Sequence, residues 1–511
     1  MNGLSQKRYL KLSPPTKEDQ RSFRQRILDG LGMEEEQVRI PASALRSLYP
    51  LCEEAGWELT VSLGFDGFSW VVLNLEKGDT AGEHLGIAVD LGSTTVVLSL
   101  MDMNTGESLG KVSVFNRQIA HGQDILSRIF YSKDHPEALE ELRLNTVKSI
   151  QEGMELLSGE TGKKASKALS MVIAGNTAMI HFLVGMDAFS VFAAPYAVRA
   201  DRTGFLAAGE LGIPISGYVY CFPAKANYLG GDIISGLTAV GIQKKEKVNV
   251  FFDVGTNGEL VVGNREFLVC GAGAAGPALE GEVVKTGMRA VDGAVDAVSM
   301  EDGAIRLHTI GEKPPIGICG SGIVDLVAEL FLSGWIDFRG RYVEEASPWI
   351  QYDGEYEEYA VEYAPGLKFY QSDIEEFLRT KAAAYTMMEY ILDAVGLTLD
   401  DVEGFYMAGA FGAHIRKESA VAIGMYPDVE LGRIHQVGNS SLLGAEQMLL
   451  DRSLLREAEG ILDLMEYVQF GAVDNFLQIM NAAMALPHMD LGRFPTVQKE
   501  LLRRQTQKEK K

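Results

Sequence analysis

Apolar residues in this chain come in short runs separated by polar, glycine-bearing turns, and the arrangement recurs. Gly86–Asp90, Val96–Asp102 and Ser108–Phe115 read as three consecutive strands. Leu91-Gly92-Ser93-Thr94-Thr95 joins the first two and Asn104-Thr105-Gly106 the last two. Helical periodicity follows over roughly 122–132 and 137–158. The same grammar returns in Asn249–Asp253, Val254-Gly255-Thr256-Asn257-Gly258, Glu259–Gly263 and Phe267–Cys270. Asp90 and Asp253 end equivalent strands 163 residues apart, one domain length, so the pattern predicts an internal duplication.

The flanks have a different texture. Ser13-Pro14-Pro15-Thr16 breaks the chain and Thr16 offers a cap for a charged helix to about Leu31. Trp57–Leu63 and Phe68–Leu75 read as strands around a turn at Gly64-Phe65-Asp66-Gly67. Over 371–396, Ile374, Leu378, Tyr385, Met388 and Leu392 line one helical face, and Ser372 with Glu375 forms a capping box. Residues 452–511 read as a helical tail ending in Lys508-Glu509-Lys510-Lys511. The predicted organisation is an accessory module over 1–85, two homologous halves over 86–246 and 247–451, and the tail over 452–511. The predicted class is α/β with a small N-terminal α+β module.

Composition narrows the function. At 511 residues the chain is too long for one hydrophobic core. Its net charge of −23 argues against nucleic acid and against an anionic membrane surface. The opening MNGLSQKRYLKL has no apolar signal core, which predicts a cytoplasmic protein. Cys52, Cys221, Cys270 and Cys319 are dispersed and form no CxxC pair, so neither a disulfide framework nor a zinc finger is expected.

A strand ending in aspartate, followed by a glycine-bearing turn rich in hydroxyls, suits phosphate. Glycine lets the backbone approach the anion, and Ser93, Thr94 and Thr95 add hydroxyl donors to the backbone N–H groups. The aspartates cannot usefully touch phosphate; Asp90 and Asp253 suit Mg²⁺ held through water. Two such hairpins, using Gly92–Thr95 and Gly255, Thr256, Asn257 and Gly258, are expected to clamp the β- and γ-phosphates of ATP from both sides. Downstream, Phe405–Ala408 runs into Gly409, Ala410, Phe411 and Gly412, small residues on which an adenine can lie. Asp232 after Gly230-Gly231 is either a helix cap or a catalytic group placing Mg²⁺ or the attacking water. Lys381 is either a lysine snorkelling from the edge of its helix stripe or a nucleotide contact.

Two phosphate hairpins and an adenosine loop, in that order, resemble the acetate and sugar kinase, heat-shock chaperone and actin superfamily. The resemblance implies a duplicated actin-like, ribonuclease-H-like ATPase fold. A narrower resemblance runs from Pro14-Pro15-Thr16 to Val437-Gly438-Asn439. It is carried by Gly86–Leu100, Asn176 within Gly175–His181, Gly230-Gly231-Asp232, Asp253–Glu259, Ala275–Gly281, Gly287-Met288-Arg289-Ala290 and Gly317–Gly322. Together these resemble the ATP-dependent reductive activators of corrinoid proteins. That resemblance implies a corrinoid protein as partner and ATP-driven reduction of its inactive cobalt(II) to cobalt(I).

The sequence departs from that family in one respect. Many members begin with a plant-type ferredoxin carrying C-x₄-C-x₂-C, and no such run is present in these 511 residues. The expectation is no iron–sulfur cluster in this chain and a separate electron donor such as a ferredoxin. Cys270 and Cys319 are expected to be buried apolar cysteines rather than cluster ligands at a dimer interface, and a homodimer is left open. His181, between Ile180 and Phe182, is expected to be a satisfied buried histidine rather than a cobalt ligand. A small-molecule kinase of the same superfamily and a non-catalytic ATP-gated binding module stay open as alternatives.

Overall fold

The computed structural model describes residues 2–135, 137–255, 257–274, 284–301, 303–468 and 476–509. The chain divides into two compact units. Met1–Ala239 and Ser440–Asp463 form one; Val240–Asn439 and Leu464–Lys511 form the other. Among the described residues, no helix is long and apolar enough to cross a membrane.

The first unit begins with strands β1 (Ser5–Lys11), β2 (Val38–Arg39), β3 (Glu58–Phe65) and β4 (Trp70–Lys77), arranged β1-β3-β4-β2. Helices Phe23–Leu31 and Ala42–Glu54 complete this module, whose core includes Leu28, Leu48, Val61 and Leu63. The β3–β4 turn is an Asx turn, in which Asp66 Oδ1 accepts from the N–H groups of Phe68 and Ser69 at 2.9 and 2.8 Å. The first helix starts later than the sequence predicts. Thr16 closes a local turn, its hydroxyl accepting from the amides of Glu18 and Asp19. Ser22 provides the cap, accepting from Gln25 N–H at 3.1 Å.

The main sheet of this unit contains β5 (Leu85–Leu91), β6 (Thr95–Asp102), β7 (Ser108–Phe115), β8 (Ser170–Gly175), β9 (Phe205–Ala207) and β10 (Tyr218–Cys221). Its order is β7-β6-β5-β8-β10-β9. β5 to β7 form an antiparallel meander, β8 lies parallel to β5, and β10 parallel to β8. β8, Ser-Met-Val-Ile-Ala-Gly, is buried at every position, as a parallel strand covered on both faces requires. Helix Ala138–Thr161 packs on β6 and β7. A Cβ on its Gly153 would come within 2.3 Å of a Leu98 methyl, so glycine there sets the approach of helix to sheet.

The second unit repeats the plan. Its strands are β11 (Val248–Val254), β12 (Asn257–Gly263), β13 (Leu268–Ala274), β14 (Ala294–Glu301), β15 (Ala304–Thr309), β16 (Gly317–Ile318), β17 (Ile350–Asp353), β18 (Glu358–Ala364), β19 (Leu367–Tyr370), β20 (Val402–Ala408), β21 (Ile434–Gly438) and β22 (Met465–Tyr467). β11 to β13 form the meander, β20 lies parallel to β11, and β21 parallel to β20. β22 adds in parallel to the β13 edge, and two three-stranded sheets, β15-β14-β16 and β17-β18-β19, are inserted. The core runs through Val250, Phe252, Leu260, Phe405 and Ile391. The duplicated α/β architecture expected from the repeated strand–turn–strand pattern, and implied by the actin-like resemblance, is the one observed.

Two local expectations are corrected. Helix Gln371–Ala394 is not capped by Ser372 with Glu375. The cap is Tyr370, two residues earlier; Asp373 Oδ2 accepts from the Tyr370 amide at 2.9 Å, and the Ser372 hydroxyl donates to Glu358. The segment after 451 is not a separate helical tail. Helix Leu454–Leu464 belongs to the first unit through Asp463; beyond it the chain supplies β22 and helices Phe476–Ala483 and Pro495–Glu509 to the second.

Candidate functional site

In each main sheet an aspartate occupies the penultimate position of the first meander strand. Asp90 pairs with Val97 across the meander and with Ala174 on the parallel side. Asp253 pairs with Glu259 and with Ala408 in the same way. The duplication therefore extends to the register of the two acidic groups.

Around Asp90 the first unit gathers three loop ends. A Cβ on Gly175, at the tip of β8, would lie 2.9 Å from Leu91 O, which holds that tip against the hairpin. The next residue, Asn176, caps helix Thr177–Val184, its side chain accepting from Met179 N–H at 3.0 Å. Gly230 packs on Asn176, where a Cβ would fall 2.4 Å from its Cα; a Cβ on Gly231 would fall 2.5 Å from Phe222 O. The pair of glycines thus answers to close backbone packing, and it delivers Asp232 into the first turn of helix Gly231–Val240. Asp232 Oδ1 accepts from the Ile233 amide at 2.9 Å. Burial, with the Asp90 carboxylate adding to it, pushes the Asp232 carboxyl up to about 7. Asp232 thus lies inside the first turn of the helix, bonded to the adjacent amide rather than capping from the position before it. Ser441 donates to Asp90 Oδ1 at 2.9 Å, and its own carbonyl accepts from the Ser235 hydroxyl at 2.7 Å.

The hairpin Gly92–Thr95 is tied from behind. Gly92 O accepts from Asn116 Nδ2 at 2.9 Å, Ser93 O from Arg128 Nη1 at 2.7 Å, and Thr94 O from the Asn116 amide at 2.9 Å. In a trans peptide the N–H points opposite to the preceding C=O. Fixing these three carbonyls also fixes the peptide planes that carry the amides of Ser93, Thr94 and Thr95. Asn116, Arg128 and Ser441 were not singled out from sequence. The available signal for Arg128 was an arginine among Ile125, Ile129 and Phe130 on one helix; Ser441 follows the apolar strand Ile434–Gly438.

In the second unit Gly409 adopts φ +83°, and a Cβ there would meet Val254 O at 2.5 Å and Asp253 Oδ1 at 2.8 Å. A Cβ on Gly412 would meet Met407 O at 2.5 Å. Gly409 is required by packing on the acidic strand, which brings it against Asp253, and Gly412 by packing on Met407 near the end of β20. Gly258 pairs with Val254 at the hairpin base. Thr256 lies outside the described residues, as do the segment 275–283 and the side chains of Asn257 and Ala410. An open polar groove of about 630 Å³ follows the loop, bordered by His414, Arg416, Lys417, Glu418 and Gln436.

Lys381 is not with these groups. It is fully buried, and its ammonium donates to the carbonyls of Ala483, Ala485 and Pro487, each at 2.6 Å. Burial lowers its pKa well below the usual lysine value, while three acceptors matched to three N–H donors fit the charged form. Neither snorkelling nor contact with a nucleotide describes it. His181 is buried and satisfied: Nδ1 bonds Thr177 O at 2.7 Å and Nε2 accepts from Arg199 N–H at 3.1 Å. All four cysteines are buried and free, and burial pushes the Cys221 thiol up to about 12. Among the described residues, no group of three or more His, Cys, Asp or Glu is placed to hold a metal.

Comparison with known proteins follows this geometry closely. Three family profiles match in succession: the RACo linker region over residues 1–82, the RACo middle region over 85–245, and the C-terminal domain of RACo, described as the ASKHA domain, over 247–498. The corrinoid activation enzyme RamQ of Eubacterium limosum is 33% identical over 387 residues, which span 72% of this chain and 64% of RamQ. The Co(II) methylated amine-specific corrinoid protein reductase of Methanosarcina barkeri is 22% identical over 401 residues, covering 72% of this chain and 71% of the reductase. A solved structure, the reductive activator for a corrinoid, iron–sulfur protein, matches with a TM-score of 0.90 at 32% identity, over 97% of this chain and 81% of that one. With both acidic hairpins in register and this agreement running along almost its whole length, the chain belongs to the family of ATP-dependent reductive activators of corrinoid proteins.

Proposed function

We propose that this chain is an ATPase that returns an inactivated corrinoid protein to its working state in methyl-transfer metabolism. A separate donor such as a ferredoxin gives one electron to the partner's cobalt(II) corrinoid, which becomes cobalt(I), and ATP drives the uphill step. The observation that carries this reading is the recurrence of the acidic hairpin at one register in both sheets, within a fold that follows a reductive activator over 97% of the chain. The donor set of the first hairpin suits a polyphosphate, since the carbonyls of Gly92, Ser93 and Thr94 are already bonded to Asn116 and Arg128.

In this reading Gly92, Ser93, Thr94 and Thr95 bind phosphate, as do Gly255, Thr256, Asn257 and Gly258, while Gly409, Ala410 and Gly412 receive the adenosine. Asp90 and Asp253 hold Mg²⁺ through water, and Asp232 takes the proton of the attacking water. When bound, the cation would neutralise phosphate charge and offset the Asp90 repulsion that adds to the effect of burial on Asp232. Ser441 keeps the Asp90 carboxylate oriented. Binding ATP more tightly in one conformation than another lets the nucleotide bias the complex toward the form in which cobalt is easier to reduce.

The test is anaerobic. The chain is mixed with a cobalt(II) corrinoid protein and a low-potential ferredoxin, and the cobalt(II) paramagnetic signal is followed with and without ATP. Loss of the signal only with ATP, chain and donor together is the expected result. ATP-dependent phosphorylation of a small molecule, with no effect on cobalt, would replace this reading by the kinase.

A further inference from the structure

The rear of the first hairpin holds a buried charge with no ion-pair partner among the described residues. Arg128 is fully buried in the first turns of helix Ile125–Asp134. Its Nε donates to Gly122 O at 2.9 Å, and Nη1 to Ser93 O at 2.7 Å and Gln118 Oε1 at 3.3 Å, with Met179 Sδ at 3.8 Å. Nη2 is buried without any partner. No carboxylate among the described residues forms an ion pair with this guanidinium; Asp124, which caps the same helix, only attracts it through space. Burial lowers its pKa to about 10. A buried cation without a counter-charge is costly, and a partly satisfied buried polar group is costly again. An apolar side chain would avoid the buried charge but would leave the Gly122 and Ser93 carbonyls and Gln118 Oε1 without this donor, so the side chain is tied to the hairpin as well as packed behind it.

The geometry points to a reason. We infer that Arg128 is a positioning residue for the phosphates of the bound nucleotide. It fixes the Ser93 peptide so that the hairpin amides face the polyphosphate, and it supplies from behind the positive charge that the anion balances. This rests on the ATP-binding reading above. Asn116 secures the Gly92 and Thr94 carbonyls on either side, so Arg128 alone adds charge to the arrangement. The charge lies behind the phosphate segment of the first unit, so its influence should depend on how many phosphates the ligand carries.

The test uses the full chain as wild type, Arg128→Met and Arg128→Lys. Affinities for AMP-PNP and AMP are measured by calorimetry, with steady-state ATP hydrolysis alongside. Arg128→Met is expected to weaken AMP-PNP by roughly 10–100-fold, the worth of a charge-assisted hydrogen bond, and AMP by no more than about twofold. KM for ATP should rise while kcat changes little, and Arg128→Lys, which keeps the charge, should recover part of the loss. Unchanged AMP-PNP binding in Arg128→Met overturns the inference, as does equal weakening of AMP and AMP-PNP, which marks a merely structural residue. If the wild type binds no adenine nucleotide, the ATP reading itself fails, and the inference falls with it. Should Arg128→Met not fold, hydrogen exchange on the wild type with tripolyphosphate decides. Added protection over residues 92–95 and 117–128 supports the inference, and its absence overturns it.

Discussion

Replacing Lys381 by methionine separates a structural lysine from a nucleotide ligand. The ammonium is the donor for three carbonyls at 2.6 Å, on Ala483, the last residue of helix Phe476–Ala483, and on Ala485 and Pro487 just beyond it. Methionine keeps most of the alkyl volume and removes every donor. Each buried carbonyl left without one costs about 1–3 kcal/mol, roughly 3–9 kcal/mol for the three. Against this stands the release of a buried charge, several kcal/mol in the other direction. The net loss is expected to be about 3–5 kcal/mol, the usual cost of removing one partner from a buried charged contact. Urea unfolding, followed by circular dichroism and by tryptophan fluorescence, reads it as a lower midpoint. Trp335 and Trp349 report on the second unit, where Lys381 lies, and Trp57 and Trp70 on the first. ATP affinity of the folded variant should stay within about twofold of wild type, less than one hydrogen bond is worth. An unchanged midpoint together with a tenfold loss of ATP affinity would refute the structural account and return Lys381 to the nucleotide.

Asp232 sets a pH dependence. Its carboxyl is raised from the ordinary range to about 7 in the folded chain, so it favours folding when protonated. That contribution is complete below the unfolded value of about 4 and is lost as pH rises through about 7, at most about 4 kcal/mol in all. Asp232→Asn should therefore be more stable than wild type at pH 8 without nucleotide, and melting temperatures of both from pH 4 to 8 check it. Asp90→Asn and Asp253→Asn should each abolish ATP hydrolysis while circular dichroism stays unchanged; normal turnover in both would remove the hairpins from the site. Gly409→Ala should destabilise by at least about 1–2 kcal/mol, because φ +83° and the contact with Val254 O both exclude a Cβ, and urea unfolding measures this. Iron analysis of an anaerobic preparation should find no stoichiometric iron in this chain, since its four cysteines lie buried on separate elements. A thiolate–iron charge-transfer band would revive Cys270 and Cys319 as ligands.

The duplication was legible because a central strand must be apolar and a phosphate hairpin must be glycine-bearing and polar, and each constraint writes itself into a few adjacent residues. Asp90, Asp253 and the glycines around them could be named on that ground. What holds them could not. Asn116 and Arg128 reach Gly92 and Ser93 from 24 and 35 positions away, and Ser441 reaches Asp90 across 351, distances at which local patterning carries no signal. Lys381 shows the converse limit. A lysine on an apolar stripe has the same sequence appearance whether its ammonium escapes to water or meets three carbonyls 102 to 106 residues away. Gly409 shows a third limit, since glycine is demanded equally by a flat ligand and by a neighbouring strand, and the sequence looks the same in either case.

The order in which the chain visits its two units has a consequence for synthesis. Residues 440–463 belong to the first unit, although 200 residues of the second precede them. Helix Ser440–Leu450 covers β5 and β8, and its Ser441 holds Asp90; Leu449 O accepts from the Leu4 amide, next to the first strand of the protein. A ribosome adding about 5–20 residues per second therefore delivers the last piece of the first unit only after most of the second has emerged. Until then the nascent first sheet stands with part of one face bare and one acidic group unsupported. Premature termination anywhere before residue 440 should leave an aggregation-prone fragment rather than a half-sized nucleotide-binding domain, and translation pausing in the stretch 240–439 should prolong dependence on chaperones.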